Sequence, residues 1–204
     1  MRIIGVTGPS GSGKTILAEF FSRLGIPTIN ADEVYHSMLT PPSECLDAIR
    51  AVFGGDVFFD DGSLNRVALS KIVFCDGQKL ELLNKTVLGL VLKEIRKQIH
   101  LLSVAGATAV IVDAPTLIES GFNRECHDVI AVLSPKSDRI KRISKRDRID
   151  TAKAEQRVNA QKDDSFYIDA ADYVIENNSD KEGFESKLYD LAASLGINIT
   201  GEDL

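Results

Sequence analysis

The chain has 204 residues, 44% of them apolar, and a formal net charge of −6 at neutral pH. It is long enough to bury a sizeable core and too apolar for disorder, and its acidic balance excludes a general nucleic-acid or acidic-membrane surface, which needs a basic face. Three scattered cysteines (Cys45, Cys75, Cys126), no leader-like start and no run of 18 apolar residues exclude a disulfide framework and a zinc site, and predict a soluble cytoplasmic protein.

In chain order, RIIGVT (2–7) reads as a strand, a Gly/Ser-rich loop follows, and KTILAEFFSRLG has helical spacing closed by Gly25. Further strands are predicted at PTINA, at TAVIVDAP (108–115), at DVIAVLS (128–134) and at DYVIEN (172–177). Each is a continuous apolar run, as in strands buried on both faces of a parallel sheet. The region from about 40 to 105 has no clear strand. The expected fold class is therefore α/β, a parallel sheet flanked by helices, in one domain over 1–204. Its core is expected at about 1–38 and 106–204, with a helical acceptor-binding insertion at about 39–105 and a helical lid at about 139–165 within the core span.

The loop GPSGSGKT, Gly8 to Thr15, fits G-x-x-x-x-G-K-[ST] between a strand and a helix, the context in which that pattern binds phosphate. Glycines let consecutive N–H groups turn on a phosphate, and the helix adds its positive end. The expected nucleotide-binding residues are Gly8, Gly11, Ser12, Gly13, Lys14, Thr15 and Ile16, with Lys14 on the outer phosphates and Thr15 on Mg²⁺. ATP and Mg²⁺ are the implied ligands. A regulatory GTPase would need [NT]-K-x-D and D-x-x-G; NKTV at 84–87 and DAPT at 113–116 satisfy neither. No second Gly-rich transporter signature is present, which leaves a small kinase.

Such a kinase needs an acceptor-facing carboxylate and arginines over the phosphoryl group. Asp32 follows the second strand at the end where ligands sit in open α/β sheets, so it is either the base or the N-cap of EVYHSM. Asp113 ends a strand at the usual metal-holding position, or terminates it in a turn before Pro115. In KSDRIKRISKRDR, Arg139, Arg142 and Arg146 share one helical face and Lys141, Lys145 and Arg148 another. The arginine face suits phosphoryl oxygens, whereas the lysine face reads as solvated.

Together these stretches resemble the dephospho-CoA kinase family over most of the chain. The resemblance is carried by GVTGPSGSGKT, LGIPTINAD, VFGGDVFFDDGSLNRVALSKIVF, VDAPTLIESG, RIKRISKRDRIDTAKAEQRVNAQ and ADYVIENNSD. It implies transfer of the ATP γ-phosphoryl to the 3′-hydroxyl of dephospho-CoA. It also implies Asp32 as base, Arg142 and Arg146 as lid arginines beside Lys14, and Thr15 and Asp113 at the metal. Asn177 falls on the adenine-side loop, Arg157 and Gln161 on a paired motif, and Glu119 on an acidic motif end. Phe53, Leu64, Arg66 and Phe74 fall in the acceptor region. Asn30 departs from the family's first aspartate, and Thr86 stands where a histidine is common. The altered acceptor motifs keep a nucleoside or nucleotide kinase as the alternative, and a nucleotide-binding switch or scaffold as a third. The implied partners are ATP and dephospho-CoA, with neither nucleic acid nor membrane, and the sequence leaves the oligomeric state open, a monomer being one alternative.

Overall fold

The computed structural model describes residues 1–197; the last seven residues of the expected domain, 198–204, lie outside the described residues. Apolar runs become strands, and the periodic stretches between them become helices. β1 (Arg2–Thr7) leads through the glycine-rich loop into α1 (Lys14–Arg23), and β2 (Thr28–Asn30) runs directly into α2 (Ala31–Ser37). Next come α3 (Glu44–Phe53), α4 (Arg66–Val73) and α5 (Gly77–Val104) with no named strand between them. The remaining elements are β3 (Ala109–Asp113), β4 (Asp128–Leu133), α6 (Lys136–Asp147), α7 (Thr151–Asn159), α8 (Asp164–Ile168), β5 (Tyr173–Glu176) and α9 (Lys181–Ser194).

The five strands form one sheet in the order β2-β3-β1-β4-β5. β1 runs parallel to both β3 and β4, and β4 parallel to β5, pairings that require helical crossovers. Every residue of β3 and β4 is buried, as their unbroken apolar sequences predict. β5 corrects that expectation: it buries only Ile175, because it forms the sheet edge, and Val174 stays exposed.

The chain divides into two units, Met1–Ile29 with the chain from Leu102 onward, and Asn30–Leu101. In the first, Ile4, Val6, Ile111, Ile130 and Val132 of the sheet pack with Leu17, Phe20 and Phe21 of α1 and Phe184 and Leu188 of α9. Burying each such side chain contributes about 1.5–3 kcal/mol. The second unit has its own core around Cys45, Leu46, Ile49, Val57, Leu69 and Val73. It begins at residue 30 rather than near the expected 39, because Tyr35, Met38 and Leu39 pack on this core and take α2 with them. Among the described residues no helix is long and apolar enough to cross a membrane.

Candidate active site

β1 delivers the chain into the loop at Thr7. Gly8, Gly11 and Gly13 all have positive φ, at 135°, 80° and 113°. Two of them are also pressed from behind: a Cβ on Gly8 would strike the Val132 carbonyl, and one on Gly13 would strike the Asn177 carboxamide. Glycine is therefore required by both conformation and space. Gly13 caps α1 without a side-chain hydrogen bond, and the first turn of α1 contains no acidic residue. By contrast, α2, α3, α4, α7 and α9 each use a capping side chain. An uncapped helix start after a glycine loop presents its positive end to an anion.

Two hydroxyls of this region, Thr7 Oγ1 and Ser12 Oγ, are buried with no hydrogen-bond partner. Leaving such a group unpaired costs about 1–3 kcal/mol, so the loop fits a ligand that brings hydrogen-bonding oxygens. Lys14 Nζ lies along the loop, donating to the carbonyls of Gly8 at 2.8 Å and Pro9 at 3.2 Å. Ile16, on the outer side of the first turn, is 37% exposed, and Thr15 is exposed beside it. Asp113 is 5% exposed at the end of β3, in register with Val6 one residue before β1 ends. The oxygens of Thr15 and Asp113 suit a hard cation. Among the described residues no cluster of three or more His, Cys, Asp or Glu side chains could hold a metal ion alone. That donor set fits an Mg²⁺ bound mainly through nucleotide phosphates, as that ion commonly is.

The three arginines of the α6 stripe all reach the loop. Arg139 is 1% exposed; its Nε donates to the Ser10 carbonyl at 3.2 Å and its Nη2 to Gln161 Oε1 at 2.6 Å. Burial lowers the pKa of this guanidinium, with Asp164 opposing the shift. Arg142 Nη1 donates to the Gly11 carbonyl at 3.0 Å, the Ser12 carbonyl at 3.3 Å and Ser134 Oγ at 3.0 Å. Arg146, in contrast, has an exposed head that pairs with Asp147 and reaches Ser10 Oγ at 3.5 Å. Its hydrogen bond holds the Asp147 carboxyl below the usual range, and Arg157 adds a second ion pair at 2.6 Å. Lys141 and Lys145 are exposed, as the solvated reading of that stripe predicts.

The stripe is thus divided. Arg139 and Arg142 hold loop carbonyls, while Arg146 keeps its head exposed. The segment expected to begin a lid at 139 starts on a fixed residue. Asn177, expected on the adenine-side loop, is 2% exposed, and its Nδ2 donates to the Ser12 carbonyl at 2.8 Å. It lies behind the loop because it directly follows β5, where its N–H continues the ladder to Leu133. Beside this network Leu133, Ser134, Pro135, Asp164, Glu176 and Asn178 line a cleft of about 190 Å³.

Asp32 belongs to the other unit, at the second position of α2, and is exposed. The cap reading of Asp32 is corrected. Asn30 is the N-cap, and its Oδ1 accepts from the N–H groups of Asp32 at 2.9 Å and Glu33 at 3.1 Å. The helix starts two residues earlier than EVYHSM suggests, so the Asp32 carboxylate is not the cap. Sequence reasoning also missed Ser134, whose hydroxyl receives Arg142 and donates to the Asn177 carbonyl at 2.8 Å. A serine between β4 and a proline gives no periodic signal.

The sequence model of the dephospho-CoA kinase family matches residues 2–182. The chain belongs to the dephospho-CoA kinase family. It is 35% identical to a dephospho-CoA kinase of Shouchella clausii, over 93% of this chain and 96% of that protein. A second, from Syntrophotalea carbinolica, is 33% identical over 100% of this chain and 96% of its own length. Among solved structures, dephospho-CoA kinase from Campylobacter jejuni superposes with a TM-score of 0.71 at 25% identity, covering 96% of this chain and 98% of that one. A shikimate kinase from Acinetobacter baumannii, 18% identical with a TM-score of 0.57 and 97% and 96% coverage, shares the fold alone.

Within the family frame, the two departures have local structural roles. Asn30 caps α2 where an aspartate would also cap. Thr86 turns its hydroxyl back to the Leu82 carbonyl at 2.8 Å, one turn earlier on α5.

Proposed function

We propose that this protein transfers the γ-phosphoryl group of ATP to the ribose 3′-hydroxyl of dephospho-CoA, giving coenzyme A and ADP in the last step of coenzyme A biosynthesis. Family membership supplies the acceptor. The observation that carries the donor side is the convergence of the α6 arginines on the Gly8–Thr15 loop. The loop amides and the start of α1 hold the β- and γ-phosphates, and Lys14 and Arg146 balance charge that spreads over the transferring group. The cleft beside Ser134 and Asn178 takes the adenosine.

Asp32 orients the 3′-hydroxyl and accepts its proton as the new oxygen–phosphorus bond forms and the bond to the ADP oxygen breaks. Thr15 and Asp113 would hold Mg²⁺, which when bound supplies charge neutralisation on the phosphates. The reaction uses small water-soluble substrates and suits the cytoplasm, with neither nucleic acid nor membrane as partner.

The test follows ADP formation with Mg²⁺ and ATP alone, then with dephospho-CoA, then with nucleosides and nucleoside monophosphates. Turnover with dephospho-CoA should exceed that with adenosine by a wide margin, because the pantetheine arm supplies remote binding energy. Equal turnover of free nucleosides would replace this reading with the nucleoside kinase one.

A further inference from the structure

A base-reading amide must offer its donor and acceptor to the ligand. Asn177 spends them inward. Its Nδ2 donates to the Ser12 carbonyl at 2.8 Å, and its Oδ1 accepts from Arg142 Nη2 at 3.2 Å. Its backbone carbonyl accepts from Ser134 Oγ at 2.8 Å, and its N–H donates to the Leu133 carbonyl at 2.8 Å. The residue is therefore anchored to β4 through its backbone, its carboxamide is backed by a guanidinium, and it is 2% exposed. On the loop side there is no slack, since a Cβ on Gly13 would collide with Nδ2.

We propose that Asn177 is a positioning residue of the phosphate loop, acting through the Ser12–Gly13 peptide and not through the nucleobase. The peptide is planar and trans, so its C=O and N–H point in opposite directions. Pinning the Ser12 carbonyl from behind with Asn177 and Arg142 aims the Gly13 N–H away from them, to the side where the loop faces its ligand. Preorganised amide donors stabilise phosphoryl charge because they need no reorientation when the charge develops. Asn177 thus joins the sheet edge to the loop through one carboxamide. The inference rests on the loop being the ATP phosphate site of the proposed reaction.

The experiment compares ATP with inorganic tripolyphosphate, which has no base, by calorimetric binding to the parent and to Asn177→Leu. Leucine nearly preserves volume and removes both hydrogen bonds; Asn177→Ala serves as a second variant should Asn177→Leu fail to fold. A buried hydrogen bond left unmade corresponds to roughly a tenfold loss. Both ligands should bind about tenfold more weakly, by the same factor, and ATP turnover should fall through kcat as well as KM. Loss of ATP binding with tripolyphosphate binding unchanged would identify a base contact and overturn the inference, as would no change in either. Because tripolyphosphate binding needs no acceptor, a parent that binds it but fails to phosphorylate dephospho-CoA would sink the proposed reaction without touching the loop inference.

Discussion

Asn30 takes one of the two tasks that the sequence alone offered to Asp32, the helix cap. With Asn30 Oδ1 accepting both first-turn N–H groups, the cap is complete without the Asp32 side chain. Asp32→Asn should therefore melt within about 1 kcal/mol of the parent, bind both substrates, and lose roughly 10²-fold or more in kcat if Asp32 is the base. Asn30→Ala should do the reverse, lowering stability by ~1 kcal/mol through the lost cap. Single-turnover transfer at saturating substrates, paired with thermal melts, separates the two. A rate for Asp32→Asn within about threefold of the parent, too small for loss of general-base catalysis, would leave the base unassigned. The cysteines give an independent check. Cys75 is exposed, whereas burial raises the Cys45 thiol and pushes Cys126 up to about 12. A thiol reagent at neutral pH should label Cys75 first, since the thiolate is the reactive form; rapid labelling of Cys126 in the folded protein would contradict its placement.

At the scale of elements, the sequence was most legible where one periodicity spoke alone. β1, β3 and β4 fall within a residue or two of their apolar runs, because a strand buried on both faces keeps its polar residues at its ends, where Arg2, Thr7, Asp113 and Asp128 lie. The α6 stripe was legible as a face, since i, i+3 and i+7 positions coincide on a helix. Its internal division was not, because periodicity says which side chains point together and not how deep each one lies. Arg139 is buried and Arg146 exposed for reasons set by the loop and by Gln161, far away in sequence. The hydrogen bond from Asn177 to Ser12, 165 positions away, was invisible for the same reason. The stripe makes its own prediction. Arg146→Ala should lower kcat more than Lys141→Ala or Lys145→Ala, with little change in melting, because Arg146 reaches the loop while the two lysines point to solvent. Equal losses on both faces would point to general electrostatics.

For the whole molecule, a net charge of −6 coexists with an anion site because a few positive groups, Lys14, Arg139, Arg142 and Arg146, converge on the loop. The helix start, Lys14 and the α6 arginines all act on one loop, and the glycine geometry that shapes it is enforced by contacts from β4 and from the residue after β5. The acceptor is the part least visible to physics in the sequence: nothing in spacing or periodicity distinguishes dephospho-CoA from another ribose, and only family membership does. The most direct measurement is transfer of labelled γ-phosphoryl from ATP to dephospho-CoA, with the product's attachment site read by phosphorus NMR. The label should appear on the ribose 3′ oxygen, depend on added Mg²⁺, and pass far less readily to adenosine. No labelled coenzyme A, or equal labelling of adenosine, would contradict the account.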